Sequence, residues 1–199
     1  AWSATNFLLA IAVYNRLAIY VGYNGLTAMR IVGFFGITVV VVGFCLVLSK
    51  IAFQRGFWWL LRTQLTALLL CVIAFTLFPV DYVAHRYNAS RVTQGYKHPS
   101  VMIAVKPKDD SGYLPMIDLV NVKDLIIREG VRAMLAERQR MIRIETDASP
   151  WHWTRFQGAT QLLYRRMIEN EALWEQYLRD DPSRRDAIDR FTEYAMQWY

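Results

Sequence analysis

Two apolar runs and the basic turn between them constrain this chain more than any other feature. Ile31 to Ser49 is nineteen residues without a formal charge, Thr63 to Val80 is eighteen more, and Lys50, Arg55 and Arg62 stand between them with no acid. Each run approaches the ~20 residues that a helix needs to cross ~30 Å of hydrocarbon. Backbone in lipid must satisfy its own hydrogen bonds, so even the β-branched stretch Ile37 to Val42 is expected as helix. The pair reads as a transmembrane hairpin, with arms at about 31–49 and 58–80.

Charge divides the chain into two materials. All seventeen acidic residues lie at or beyond Asp81, while residues 1–80 carry five basic residues and no acid. Beyond that point eighteen basic residues face seventeen acidic ones, so the overall net charge of +6 belongs mainly to the apolar half. This is not the footprint of a nucleic-acid binder, whose basic surplus would sit on a folded domain beside a recognition motif. Cys45 and Cys71 both fall inside apolar runs and read as small buried hydrophobes, which leaves no thiol for a disulfide or a cysteine-ligated zinc in the second half.

A further span precedes the hairpin, at about 5–23. The chain begins at Ala1 with neither the basic lead nor the small-residue cleavage site of a secretory signal, and reads as a fragment or processed product. Arg16 interrupts this first span. It can snorkel outward, pair within a bundle, or mark a shorter and partly interfacial element. Gly22-Tyr23-Asn24-Gly25 supplies turn chemistry before the second span. Within that span Gly36, Val40 and Gly43 set a narrow stripe for helix packing. Lys50, Arg55, Trp58, Trp59 and Arg62 mark the next membrane interface. Three basic residues there, against Arg16 and Arg30 on the other connection, predict a cytoplasmic hairpin turn. The third span then runs outward, and residues 81–199 are expected on the periplasmic side of a bacterial inner membrane.

Those 119 or so residues suffice for one small domain. Its first part, to about residue 120, is expected to mix short elements: a polar aromatic segment from Asp81 to Tyr96, then a strand from Val101 to Val105 bounded by prolines. Asn121 is a suitable N-cap for a helix over about Val122 to Arg140, with Leu125, Ile126, Val131, Met134 and Leu135 as its apolar face and Gly130 permitting a close contact. Ser149-Pro150 signals another helix start. Helices over Glu171 to Arg179 and Pro182 to Tyr199, separated by Asp180-Asp181-Pro182, complete a helical tail. The predicted class is mainly α: three transmembrane helices followed by an α-rich extracytoplasmic domain with minor β content.

Chemical signatures are sparse. His85, His98 and His152 lack metal-ligand spacing and read as ordinary packing or surface histidines. Asp109-Asp110 and Asp180-Asp181 read as solvated turns and helix ends, because a catalytic dyad needs opposed carboxylates in unlike environments. No phosphate loop, nucleophile elbow or kinase signature is present. No cofactor or metal is expected. Trp151, Trp153, Trp174 and Trp198 make the tail rich in large aromatics, most of them core and the remainder anchors for a partner.

Arg16-Leu17-Ala18-Ile19-Tyr20-Val21, then Tyr23-Asn24-Gly25-Leu26-Thr27 and Arg30, followed by Asp81-Tyr82-Val83, Arg86-Tyr87-Asn88 and Trp151-His152-Trp153-Thr154-Arg155, resemble the uncharacterised bacterial multi-spanning membrane proteins of the DUF4153/DUF4173 type. Asn24 and Thr154 depart from that pattern. The resemblance implies a C-terminal part with further spans upstream, and it implies no activity.

These readings predict a non-enzymatic accessory or structural subunit. Its spans sit in the bilayer, its domain binds other membrane protein subunits in a larger assembly, and it has no nucleic-acid partner. The alternative is a fragment of a transporter or membrane sensor in which Arg16 and Arg30 form an anion site. A third reading is a periplasmic enzyme whose residues converge only in three dimensions.

Overall fold

The protein is described here from a computed structural model covering residues 2–106, 108–147 and 157–198. It divides into two compact units, Ala1–Gly22 with Ala28–Val80, and Tyr23–Thr27 with Asp81–Tyr199.

The first unit is built from α1 (Trp2–Asn24), α2 (Ala28–Ala52) and α3 (Phe57–Leu77). All three are long and apolar enough to cross a bilayer. α2 and α3 pack along each other, with Phe35 edge-on to Phe75 and Phe78. α1 meets α2 through long side chains. Phe7 and Phe44 are 5.2 Å apart at their centroids, and the Tyr14 hydroxyl lies 2.6 Å from Thr38 Oγ1. The Thr38 proton goes to the Phe34 carbonyl, so Tyr14 is the donor. Ser49, Thr63, Thr66 and Thr76 likewise close their hydroxyls onto the carbonyl four residues back, the solution that a solvent without hydrogen bonds requires. α3 stops at Leu77 because the residue before Pro79 is forced out of the helical region, and Phe78 is extended at φ −79°, ψ 123°. The cysteines correct the sequence reading: Cys45 is exposed and Cys71 half-buried, since in lipid an apolar side chain gains nothing by hiding.

The second unit contains α4 (Val80–Thr93, from Asp81 onward), α5 (Ser100–Ala104), α6 (Asp110–Tyr113), a 3₁₀ turn (Leu114–Leu119), α7 (Leu125–Asp147), α8 (Gly158–Asn170), a second 3₁₀ turn (Glu171–Leu173), α9 (Glu175–Arg179) and α10 (Asp181–Met196). Among the described residues there is no strand. The expected strand at Val101–Val105 is instead α5, with Val101, Met102 and Ile103 all buried. A short continuous apolar run does not distinguish a strand from a buried helical turn, and the described residues offer no partner strand to decide for the former. The segment Asp81 to Tyr96 is largely α4. Its inward face is Ala84, His85, Asn88, Ala89 and Val92, helically spaced but too small and polar to show as an apolar stripe.

α7 starts later than the sequence suggests. Asp124, not Asn121, caps it, accepting from the N–H groups of Ile126 (3.1 Å) and Ile127 (3.3 Å). The inward face shifts accordingly: Leu125 and Ile126 are exposed, whereas Ile127, Gly130, Val131 and Leu135 are buried. α10 packs along α7. A Cβ at Gly130 would fall 2.2 Å from Phe191 Cβ, so the crossing depends on that glycine. Asp180, in the turn expected to separate the last two helices, caps α10, which begins at Asp181. Arg184, 1% exposed, donates to the Tyr177 carbonyl at 2.7 Å and pairs with Glu137 at 2.6 Å and with Asp181. The helix start at Ser149-Pro150 lies outside the described residues.

Candidate functional site

α4 carries two buried polar side chains on its inward face, and each organises a different part of the second unit. Asn88 is fully buried and faces the connection between α1 and α2. Its Oδ1 accepts from the Leu26 N–H at 2.7 Å, and its Nδ2 donates to the Leu26 carbonyl at 2.8 Å. Gly25 makes this approach feasible. Its φ is +81°, and a Cβ there would sit 2.6 Å from Asn88 Oδ1.

One turn earlier on α4, His85 is 4% exposed and its Nδ1 has no hydrogen-bond partner among the described residues. Burial, reinforced by the nearby Lys108 ammonium, pulls its pKa down to about 4 against the pull of Asp81 and Asp109. Lys108 comes from the loop before α6. It donates to the Ile103 carbonyl at 2.8 Å and lies 5.3 Å from the Tyr113 ring centroid. Burial lowers its pKa to about 8, partly offset by Asp81. Asp81 accepts from the Asp109 N–H at 2.9 Å. Asp109 in turn caps α6, accepting from Gly112 N–H and from the Ser111 hydroxyl. The cluster is tightly closed around Gly112, where a Cβ would meet His85 Cδ2 at 2.9 Å and Lys108 Cβ at 3.1 Å.

Asp110 extends the polar layer. Arg138 of α7 grips its carboxylate with two bonds, 2.6 and 3.1 Å, and the Thr160 hydroxyl donates at 2.5 Å. Burial pushes this carboxyl up, but those donors hold it below the usual carboxylate range. Burial raises the Tyr113 hydroxyl, opposed by Arg138 and reinforced by Asp110 and Glu137. Burial favours the neutral forms of both His85 and Lys108, and Asp110 with Arg138 is a fixed ion pair. Among the described residues no three His, Cys, Asp or Glu side chains are arranged to hold a metal ion.

Neither polar feature is legible in composition. Asp110, 8% exposed, corrects the sequence reading of a solvated turn, whereas His85 is a buried packing histidine. The only hint was α4's helical spacing of small and polar residues, which becomes visible once the buried face is known.

The residues singled out from the sequence are dispersed. Arg16 is exposed on α1. Tyr20 follows it by one turn, and the Arg30 guanidinium lies 5.9 Å from the Tyr20 ring centroid. Lys50 is in the last turn of α2, Arg55 lies 6.0 Å from the Trp59 ring, Trp58 is exposed against Phe57, and Arg62 is exposed on α3. The glycine stripe divides: Gly36 and Val40 line a groove of about 490 Å³ with α1, while Gly43 lines one of about 270 Å³ with α3. Trp174 is buried in the core, donating to Gln139 Oε1 at 2.7 Å, so it offers no surface to a partner. Trp198 packs edge-on to His98 and Tyr194. Trp151 and Trp153 lie outside the described residues.

The model of a family described as a domain of unknown function, DUF4153, matches residues 1–113. The match takes in both partners of the Asn88–Leu26 contact and the His85, Lys108 and Asp109 cluster, and it ends at Tyr113. No curated protein and no solved structure matches the chain.

Proposed function

We propose, from the premise that the chain belongs to the DUF4153 family of unknown function, that this membrane protein is a non-enzymatic accessory subunit. In this reading its spans anchor a helical domain on the periplasmic face of a bacterial inner membrane, where the domain binds other subunits of a larger assembly. The supporting observation is the Asn88–Leu26 contact. It builds the α1–α2 connection into the helical unit, so the chain passes between the two units three times, at Gly22/Tyr23, Thr27/Ala28 and Val80/Asp81. A domain attached by three chain passages suits a positioned docking platform better than a freely tethered catalyst. The basic residues Lys50, Arg55 and Arg62 at the α2–α3 turn support the cytoplasmic assignment of that turn.

Reporter fusions at Gln54 and at the C-terminus test the topology. Periplasmic activity at the C-terminus with cytoplasmic activity at Gln54 is expected, and the reverse pattern overturns it. Purification in mild detergent followed by mass analysis tests the assembly role, which fails if the protein runs alone.

A second reading is favoured by one contact. In support of an anion site in a transporter or sensor, the Arg30 guanidinium lies 5.9 Å from the ring centroid of Tyr20, which follows Arg16 by one helical turn on α1. Ligand binding and transport unchanged by Arg16→Gln with Arg30→Gln would remove that reading.

A further inference from the structure

We propose that a groove between α4 and α8 binds the phosphate headgroup and proximal apolar part of an anionic phospholipid. The groove, about 220 Å³, is lined by Tyr82 and Arg86 of α4, by Leu162 and Arg166 of α8, and by Leu114 and Ile117 of the 3₁₀ turn. Two helices whose sequences are eighty residues apart contribute the same pair in the same order, an apolar or aromatic residue followed one turn later by arginine. That juxtaposition appears only in the folded unit.

Both arginines are available. Arg86 is exposed, leaning on Tyr82 at 6.0 Å and reaching its hydroxyl only at 3.5 Å. Arg166 is exposed and lies 4.0 Å from Glu169. Neither is gripped as Arg138 is by Asp110. Asp118 is the single carboxylate among the described residues of the lining. Guanidinium groups bind phosphate oxygens with a planar fork, which makes two of them in one groove a phosphate site in waiting. The apolar remainder argues for a ligand with hydrocarbon attached: Leu162 is 49% exposed there, beside Leu114 and Ile117. Membrane lipid is the source that the chain itself points to, because Tyr82 and Arg86 follow the last residue of α3 by five and nine positions.

Native mass spectrometry of the full chain in detergent, with added phosphatidylglycerol or phosphatidylcholine, tests the proposal. The wild type should retain phosphatidylglycerol preferentially. Each basic residue near an anionic surface contributes about fivefold in affinity, so R86Q/R166Q should weaken retention about 25-fold. R86K/R166K should recover part of it. Both variants should keep the wild-type helical circular dichroism, since the side chains are exposed. R179Q/R190Q, which changes two exposed arginines of the same unit outside the groove, should leave the preference intact. Equal retention of the two lipids, retention unaffected by R86Q/R166Q, or an equal loss caused by R179Q/R190Q would overturn the site. Displacement of the lipid by millimolar inorganic phosphate would reassign it to a soluble phosphate ligand and overturn the lipid.

Discussion

Asn88 holds Leu26 by both faces of its amide, accepting from the Leu26 N–H at 2.7 Å and donating to the Leu26 carbonyl at 2.8 Å across sixty-two residues of sequence. This is the pairing that a neighbouring strand would offer, supplied by one side chain to one residue of a loop. Leu26 itself is buried, so water cannot substitute for either bond.

Asn88→Ala should therefore leave a buried donor and acceptor unpaired. A loss of about 2–6 kcal/mol in the stability of the helical unit is expected, at about 1–3 kcal/mol for each group left unsatisfied. Hydrogen exchange offers the local readout: the Leu26 amide should lose protection well before amides in the centre of α7.

Gly130→Ala tests the α7–α10 crossing. The added methyl cannot coexist with Phe191, whose Cβ would lie 2.2 Å away, so the helices must separate at a cost of about 1–3 kcal/mol. Thermal unfolding of this variant, of Phe191→Gly, which removes the clashing Cβ and Cγ, and of the double variant should show strong non-additivity. Additive losses would mean that the two residues do not share the contact.

Arg138→Ala should be more damaging than loss of a surface ion pair. Asp110 is only 8% exposed, and without the guanidinium it retains Thr160 as donor but no counter-charge. Breaking one side of a buried pair costs about 3–5 kcal/mol. The change should be visible as a lowered melting temperature that Asp110→Asn partly restores.

His85 makes stability pH-dependent in a definite direction. Its folded pKa is about 4 against an ordinary 6.5, so between those values the unfolded chain binds more protons than the folded one. The stability from keeping His85 neutral is present above pH 6.5 and is lost as pH falls toward 4, by up to about 3 kcal/mol. Denaturant unfolding across pH 4–7 should show this slope, and His85→Leu should flatten it.

Lys108 acts on the alkaline side. Its folded pKa is about 8 against 10.5, so at neutral pH the fold holds a charge it disfavours, and stability should rise as pH climbs from 8 to 10.5. Lys108→Met removes that cost, of order 1–3 kcal/mol, less the lost bond to Ile103. Higher stability of this variant at pH 7, converging with the wild type near pH 10.5, is the expected result.

The sequence by itself determined the membrane half. Three uncharged or nearly uncharged stretches in lipid have one way to satisfy their backbone, so helices α1, α2 and α3 follow from length and composition alone. Helix punctuation with a local cause was legible as well: the Asp180-Asp181-Pro182 break before the last helix, and Gly130 as a close-contact residue. The tertiary structure decided what depended on partners distant in the chain. Val101 to Ile103 are helix, with no strand among the described residues to pair with, and Asp124 displaced Asn121 as a cap because residues 120–123 form a turn and bend and α7 begins only at Leu125. His85, Lys108, Asp110 and Arg138 are unremarkable in sequence, for burial and proximity are properties of the fold. The same holds for the Arg86–Arg166 groove. The basic turn from Lys50 to Arg62 was readable from the first, because its signal is a charge count along the chain; Asn88 was not, because its meaning lies in the loop that folding brings to it.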